Sequence, residues 1–329
     1  MRKLFFISLL FLIRISLYGQ DIHFSQFYYS PIEMNPARTG LINGDQRFTG
    51  IYRNQWNSVT VPYITSAFSY DMKAKNNFGA GISIYNDKAG DGELNTLKAG
   101  ISLGYLFDIN DSTAFLSAGI KNSVVQTSID YSKFTFDKQY NGDVFVPGSP
   151  TGENFGSDRF YFYDLSAGIN WHQVIDEENY VSAGAGIYHI NKPKRSFIED
   201  SKEKLNSRVV FVGNGRWKLS EKIALLPATE FMIQKPFKEL VIGSNVRLDV
   251  LEKPGSPAFY LGGWLRTGDA IIVSTGFDYQ NWLFGFAYDF NISDLKPASN
   301  GKGGFEIAFQ YIITKVKPVN PNGVACPVY

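Results

Sequence analysis

The sequence predicts an all-β protein, a transmembrane antiparallel outer-membrane β-barrel of about 14 strands with its N- and C-termini periplasmic. Three observations predict it. Apolar and polar residues alternate with a period of two through most of the chain. The alternating segments run for roughly nine to thirteen residues, against about five or six in ordinary sheets and about nine to eleven for a bilayer-spanning strand. Long and short connections also alternate along the chain, as they do in barrels that pair short periplasmic turns with longer outer loops.

Residues 1–19 read as a signal peptide: Arg2 and Lys3 precede the apolar run Leu4 to Leu12, and a polar Gly19-Gln20 junction places the mature start near Gln20. The run falls short of the ~20 apolar residues a spanning helix needs. Residues 20–46 form a leader with His23, Phe24, Phe27, Asn35 and Pro36, too aromatic for disorder, which either plugs the lumen or packs at the periplasmic rim. The barrel itself covers 47–314. Its strands are expected to begin near Arg47, Ile64, Phe78, Leu94, Ala114, Phe160, Tyr180, Arg208, Ile223, Lys238, Ala258, Asp269, Trp282 and Gly304. Residues 315–329 make a Pro-rich tail that carries the single cysteine, Cys326, which has no partner for an internal disulfide.

The faces of these strands are legible. Leu97, Ile101, Leu103 and Phe107 share one side of their segment, while Lys98, Gly100, Ser102 and Gly104 share the other. Phe284, Phe286, Ile307 and Phe309 are expected to face hydrocarbon, and Gly285, Ala287 and Ala308 the lumen. Arg208, Asn214, Arg216 and Lys218 lie opposite Val209, Phe211, Trp217 and Leu219, and a face of that polarity suits a hydrated interior. In a bilayer every backbone group must be paired, so such a sheet has to close on itself.

Composition excludes several functions. The chain has 329 residues with 32 basic against 31 acidic side chains, which leaves no nucleic-acid footprint. Its mean hydropathy of -0.14 is too polar for a bundle of spanning helices. Catalysis needs a nucleophile, a base and an orienting group within reach, and the only imidazoles are His23, His172 and His189. No enzyme motif is present, and no cofactor is implied. The glycine-rich stretch Asn86-Asp87-Lys88-Ala89-Gly90-Asp91-Gly92 lacks the ligand series and the closing Glu of a calcium loop, so no metal site is assigned.

Several stretches together resemble the PorP/SprF family of type IX secretion system membrane proteins: QDIHFSQFYYSP at 20 to 31, NPARTG at 35 to 40, YRNQW at 52 to 56, NDKAGDG at 86 to 92, KFTF at 133 to 136, HINKP at 189 to 193, LRTGDA at 265 to 270 and FAYDFNISDL at 286 to 295. The resemblance covers nearly the whole mature chain, and its specificity lies in the combination and order of the pieces. One departure is GGFEIAFQY near the end, where the family typically shows Ser-His-Glu before the last strand, so no role of that His carries over.

The resemblance implies a non-catalytic outer-membrane component of a machine that exports proteins to the cell surface and in some relatives supports gliding. It implies secreted cargo or adhesins with a C-terminal sorting domain as partners, and periplasmic components tied to the secretion motor or the peptidoglycan. The lipid bilayer is a further partner and nucleic acid is not. The alternative is an outer-membrane channel for small solutes, because about fourteen strands enclose a lumen wide enough for them unless it is plugged. The expected partner-binding residues are Arg53, Asn54, Gln55, Trp56, Asn86, Asp87, Lys88, Gly90, Asp91 and Gly92. They fall at outer strand ends one connection apart, with Trp56 as a rigid anchor and Arg53 and Asp87 as directional hydrogen-bonding groups. The competing reading places Trp56 in an interfacial aromatic girdle.

Overall fold

The computed structural model describes residues 21–56, 61–110, 113–146, 148–198, 202–252, 255–294 and 296–314. The expected signal peptide and the Pro-rich tail with Cys326 lie outside these residues. Fourteen antiparallel strands form one closed barrel. They are β1 (Gln46–Gln55), β2 (Tyr63–Lys73), β3 (Phe78–Ala89), β4 (Leu94–Asn110), β5 (Ala114–Ser128), β6 (Arg159–Val174), β7 (Tyr180–Tyr188), β8 (Arg208–Ser220), β9 (Ile223–Gln234), β10 (Phe237–Asp249), β11 (Ala258–Arg266), β12 (Ala270–Tyr279), β13 (Trp282–Asn291) and β14 (Lys302–Ile313). Each begins within two residues of the position read from the sequence, Lys302 against Gly304 being the widest difference. No helix among the described residues is long and apolar enough to cross a membrane; the crossing elements are strands.

Each strand pairs with its neighbours in sequence, and β1 closes the ring by pairing with β14 from Gln46↔Ile313 to Gln55↔Gly304. The alternation fixes the faces. Phe286 on β13 is 42% exposed and its neighbour Ala287 only 6%; on β14 Ile307 is 42% exposed and Ala308 fully buried. Outward Ile101, Leu103 and Phe107 on β4 are exposed, while Ser102 and Gly104 point inward and are buried. The outward set therefore makes the apolar belt that faces lipid.

The two rims differ. At one, which we call the turn end, β8 and β9 are joined by residues 221–222 and β12 and β13 by 280–281. At the other, the loop end, residues 129–158 join β5 to β6 and 189–207 join β7 to β8. Strands β4, β5 and β6, with 17, 15 and 16 residues, exceed the expected length. A bilayer needs only about nine to eleven residues per strand, so these three project beyond the lipid.

Residues 21–45 run inside the barrel. Asp21 lies at the loop end, where Gln234 and His189 bind it. The chain then descends through a 3-10 turn (Phe27–Tyr29), a one-turn helix (Pro31–Met34) and a second 3-10 turn (Pro36–Arg38), and reaches Asp71 of β2 near the turn end through Gly40. It then enters β1. Asp21 is at the loop end, whereas β14 delivers Ile313 and Thr314 to the turn end; the expected periplasmic termini lie outside the described residues. The two-residue period that located the strands carries no information about a leader without that period.

The facing of β13 sets a direct test. Phe286→Arg is expected to destabilise the barrel in lipid by about 2–4 kcal/mol if it lies near the midplane. Ala287→Arg should instead disturb the packing between wall and leader. Folding yield into lipid vesicles is the measurement, and equal tolerance at the two positions would contradict the assignment of faces.

Candidate functional site

The leader fills the lumen as a plug. Phe24, Phe27, Tyr28, Tyr29, Ile32, Met34, Ala37 and Ile42 are all buried, and Phe27 and Tyr28 pack on Trp264 of β11 at centroid distances of 5.7 and 5.1 Å. Small wall residues make the fit possible. A Cβ on Gly104 would meet Thr39 O at 2.4 Å, on Gly119 Pro36 O at 2.2 Å, and on Gly168 Asn35 Oδ1 at 2.0 Å. Bare backbone at these points lets plug and wall approach to a distance no side chain permits. Asn35 uses that closeness: it accepts from Ala37 N to cap its own turn and donates through Nδ2 to Ile169 O of β6 at 3.0 Å. Ser117 of β5 donates to Ala37 O at 2.8 Å, and Arg38 bonds Asn214 of β8.

A buried ionic cluster grips the other half of the plug. Arg53 of β1, Arg266 of β11, Asp289 of β13 and Glu306 of β14 are each no more than 3% exposed. Asp289 accepts from Arg53 Nη2 and Arg266 Nη1, both at 2.9 Å. Around this core the plug is bound by its backbone and one hydroxyl. Glu306 accepts from the backbone N–H groups of Ser25 at 2.8 Å and Gln26 at 2.7 Å, Ser25 Oγ donates to Asp289 at 2.7 Å, and Arg53 Nη1 donates to His23 O at 2.7 Å. Arg266 also lies 3.8 Å from Glu239 and 3.1 Å from Asp269, and the hydrogen bonds from the plug help to satisfy charges that burial otherwise penalises.

Two further charge contacts hold the plug. Glu33 pairs with Lys121 of β5. Burial alone would raise its carboxyl, but Lys121 and Lys98 outweigh that and bring it down to about 2. At the loop end His189, just past β7, sits between two carboxylates: Nδ1 is 2.8 Å from Asp164 of β6 and Nε2 2.5 Å from Asp21. Burial opposes charge on this ring, yet Asp21 and Asp164 prevail and raise its pKa. Asp21 is depressed in turn, since His189 and Arg208 outweigh its burial. His23 behaves differently. Its Nδ1 lies 3.4 Å from Glu239, but burial and the charges of Arg266 and Arg53 push its pKa well below the ordinary value, so the contact is that of a neutral imidazole and not an ion pair.

Between plug and wall a cavity of about 360 Å3 remains, lined by plug residues from Asp21 to Met34 and by lumen-facing residues of β2 to β6, β8 and β9 together with His189, Arg195 and Leu205. Among the described residues, no group of three or more His, Cys, Asp or Glu side chains is arranged to hold a metal ion.

The structure divides the expected partner-binding residues between two faces. Arg53 and Asp87 point into the lumen with 1% and 7% exposure, which corrects their expected placement on an outer surface. Alternation is the physical reason, because consecutive residues of one strand cannot share a face. They lie instead in one lumen-facing row, Arg53 opposite Thr65 and Thr65 opposite Asp87. Asn54, Gln55, Trp56 and Asn86 are half-buried at the loop end, and Lys88 and Asp91 are exposed. Trp56 meets Tyr63 edge-on at 4.7 Å. Gly90 turns the β3–β4 loop with φ of 69°, and Gly92 lies under the Phe134 ring. Of the leader residues, Phe24, Phe27, Asn35 and Pro36 are buried and His23 is half-buried against Glu239. Sequence reasoning assigned no role to Arg266, Asp289, Glu306, Lys121 or Asp164. The available signal was a charge on the lumen-facing parity of a long strand, which a solvated lumen explains equally well.

Closure, apolar belt and internal plug define the class: a plugged outer-membrane β-barrel. A profile of the family described as "Type IX secretion system membrane protein PorP/SprF" matches residues 16–311, and the chain belongs to that family. It is a protein of the outer membrane. Among solved structures it resembles the Ralstonia pickettii toluene transporter TbuX, at 11% identity and a TM-score of 0.51 over 86% of this chain and 94% of that one. It also resembles the Pseudomonas putida toluene transporter TodX, at 8% identity and a TM-score of 0.50 over 88% and 94%. At such identities the likeness is one of fold alone. No curated protein matches the sequence significantly.

Two outcomes are expected of the plug contacts. Arg266→Ala leaves Asp289 short of a cation in a buried site, a loss of about 3–5 kcal/mol for a broken buried pair. Limited proteolysis should then cleave within residues 21–45 while the barrel stays intact, and continued protection would show that the cluster does not retain the plug. The second outcome concerns pH. The folded value of His189 is raised, so its contribution is complete below the ordinary 6.5 and is lost as pH climbs through the raised value. That of Asp21 is depressed, so its contribution is complete above the ordinary 3.8 and is lost only as pH falls into strong acid. Hydrogen exchange at residues 21–24 should therefore be slowest from about pH 4 to pH 6.5 and accelerate on the alkaline side beyond the intrinsic pH dependence. A purely intrinsic profile, unchanged in His189→Gln, would contradict this.

Proposed function

We propose that this protein is a non-catalytic anchor of the type IX secretion machinery, a plugged barrel that holds a secreted cargo or adhesin at its loop end and meets periplasmic components at its turn end. The observation that carries the reading is the plug: a barrel whose lumen is filled by its own leader, gripped at both ends, is built to hold position and not to conduct. The length of the loop-end connections motivates placing that end at the cell surface. Family membership motivates the partners, cargo or adhesins bearing a C-terminal sorting domain. The rim residues Asn54, Gln55, Trp56, Asn86, Lys88 and Asp91 supply the contact surface in this reading, while Arg53 and Asp87 act from inside the lumen.

The state of the imidazoles supports a non-catalytic role. His189 spends both ring nitrogens on carboxylates, His23 is held neutral against Glu239, and His172 stacks between Phe115 and Tyr180 at 4.5 and 5.0 Å. The channel reading draws on the toluene transporters that share the fold, and the filled lumen counts against it. Affinity purification from detergent extracts should recover secretion-system components with the intact barrel. Trp56→Ala and Lys88→Glu should lower recovery of a secreted partner at normal barrel abundance. Undiminished recovery in both, or a steady conductance of the wild-type barrel in planar bilayers, would overturn the proposal.

A further inference from the structure

The cavity beside the plug has an unbalanced lining. Five carboxylates face it, those of Asp21, Glu33, Asp87, Asp164 and Glu230, against Lys98, Arg195, Arg208 and His189. Most of these charges are already matched: Lys98 binds Asp164 at 2.7 Å, His189 bridges Asp164 and Asp21, Arg208 lies 3.6 Å from Asp21, and Glu33 takes Lys121. Two carboxylates are left over. Asp87 of β3 is 7% exposed and accepts only the Thr65 hydroxyl, at 2.7 Å. Glu230 of β9 is 5% exposed and has no hydrogen bond or ion pair among the described residues. Among the described residues that line the cavity, Arg195 at the mouth is a further cation; it forms no ion pair with either, although its charge acts on Asp87.

A carboxylate withdrawn from water without a partner cation is costly, and structures rarely retain one without use. These two stand on walls six strands apart in the ring and face the same space. Beside these charged groups the lining also has an apolar part, made by Phe27 and Met34 of the plug with Val125, Leu205, Val210 and Met232 of the wall and loop. A ligand that satisfies all of this carries positive charge on a saturated apolar stem. A neutral apolar molecule leaves both carboxylates unmet, and an anion adds repulsion.

We infer that this cavity binds an aliphatic cation, an ammonium or guanidinium on an apolar stem, seated by Glu230 and Asp87. The same chemistry is offered by a free polyamine and by lysine or arginine side chains of an extended polypeptide. The polypeptide source deepens the cargo-holding reading and rests on it; the free-amine source does not.

The test uses the full-length protein in nanodiscs and calorimetric titration with 1,6-diaminohexane, 1,6-hexanediol and adipate, six-carbon chains that differ in charge. The diamine should bind saturably and at least about tenfold more tightly than the diol or the diacid. Glu230→Gln and Asp87→Asn should each weaken it about fivefold or more. A capped peptide Gly-Phe-Lys-Phe-Lys-Gly forms the second arm: tighter binding than the diamine assigns the site to a polypeptide, and equal or weaker binding assigns it to a free amine. Binding of the diol or adipate as tight as that of the diamine overturns the inference, as does an absence of saturable binding by both cationic probes. If a variant fails to fold, judged by its heat-modifiable mobility on gels, the three six-carbon probes on the wild-type protein still decide. Recovery of secretion components plays no part in this readout, so its outcome is separate from that of the proposed function.

Discussion

Pairing of β1 with β14 is the constraint on which the rest of the molecule depends. In hydrocarbon an unpaired N–H or C=O costs several kcal/mol, so a sheet that crosses lipid is viable only as a ring. The ten paired positions from Gln46↔Ile313 to Gln55↔Gly304 complete that ring. Closure then dictates two surfaces of opposite character from one alternating sequence. Outward residues such as Phe286 and Ile307 dissolve in lipid, and inward residues such as Arg53, Asp289 and Glu306 are sealed into a space that must be filled either by water or by protein.

Here protein fills it, and the manner of filling explains why the wall is so charged. A backbone segment with little regular secondary structure, placed in a dry lumen, brings N–H groups that need acceptors. Glu306 supplies acceptors for two of them, at Ser25 and Gln26, and Asp289 receives the Ser25 hydroxyl. Arg53 and Arg266 balance those carboxylates. The ionic cluster is thus a device for binding backbone, and apolar side chains in its place would leave the plug unsatisfied. Gly104, Gly119 and Gly168 do the complementary task at the lower half by removing side chains where plug backbone must touch the wall.

What was legible in the sequence and what was not divides along the same line. Strand starts and lipid-facing residues follow from a local period of two, so β3, β4, β5, β7, β8, β9, β11 and β13 begin at the expected residues. The stretches resembling the PorP/SprF family were legible as a set, but their shared purpose was not. HFSQF, YRNQW, LRTGDA and FAYDF meet at one cluster through contacts such as Ser25 to Asp289, separated by 264 positions. Nothing local encodes that meeting. Arg53 and Asp87 show the opposite failure, since the alternation around them was readable and places them inward, while their residue types invited a surface role. The leader has no period at all, and its descent from Asp21 at the loop end to Gly40 near the turn end is written only in its partners on the wall.

The two grips on the plug differ in physical kind, and that difference governs how the molecule is able to change. The cluster at Asp289 is deeply buried and bound to backbone, so disturbing it exposes several buried charges at once. The His189 clamp lies at the mouth, involves an imidazole whose pKa Asp21 and Asp164 raise against its burial, and holds the first described residue of the plug. The grip that pH is able to alter therefore lies at the loop end, beside the cavity, while Arg53, Arg266, Asp289 and Glu306 hold the plug at Ser25 and Gln26 by contacts of another kind. A partner that approaches from the loop rim meets the labile grip first and the cavity immediately beneath it. The barrel thus combines a titratable grip at its mouth with a deeply buried grip beneath it.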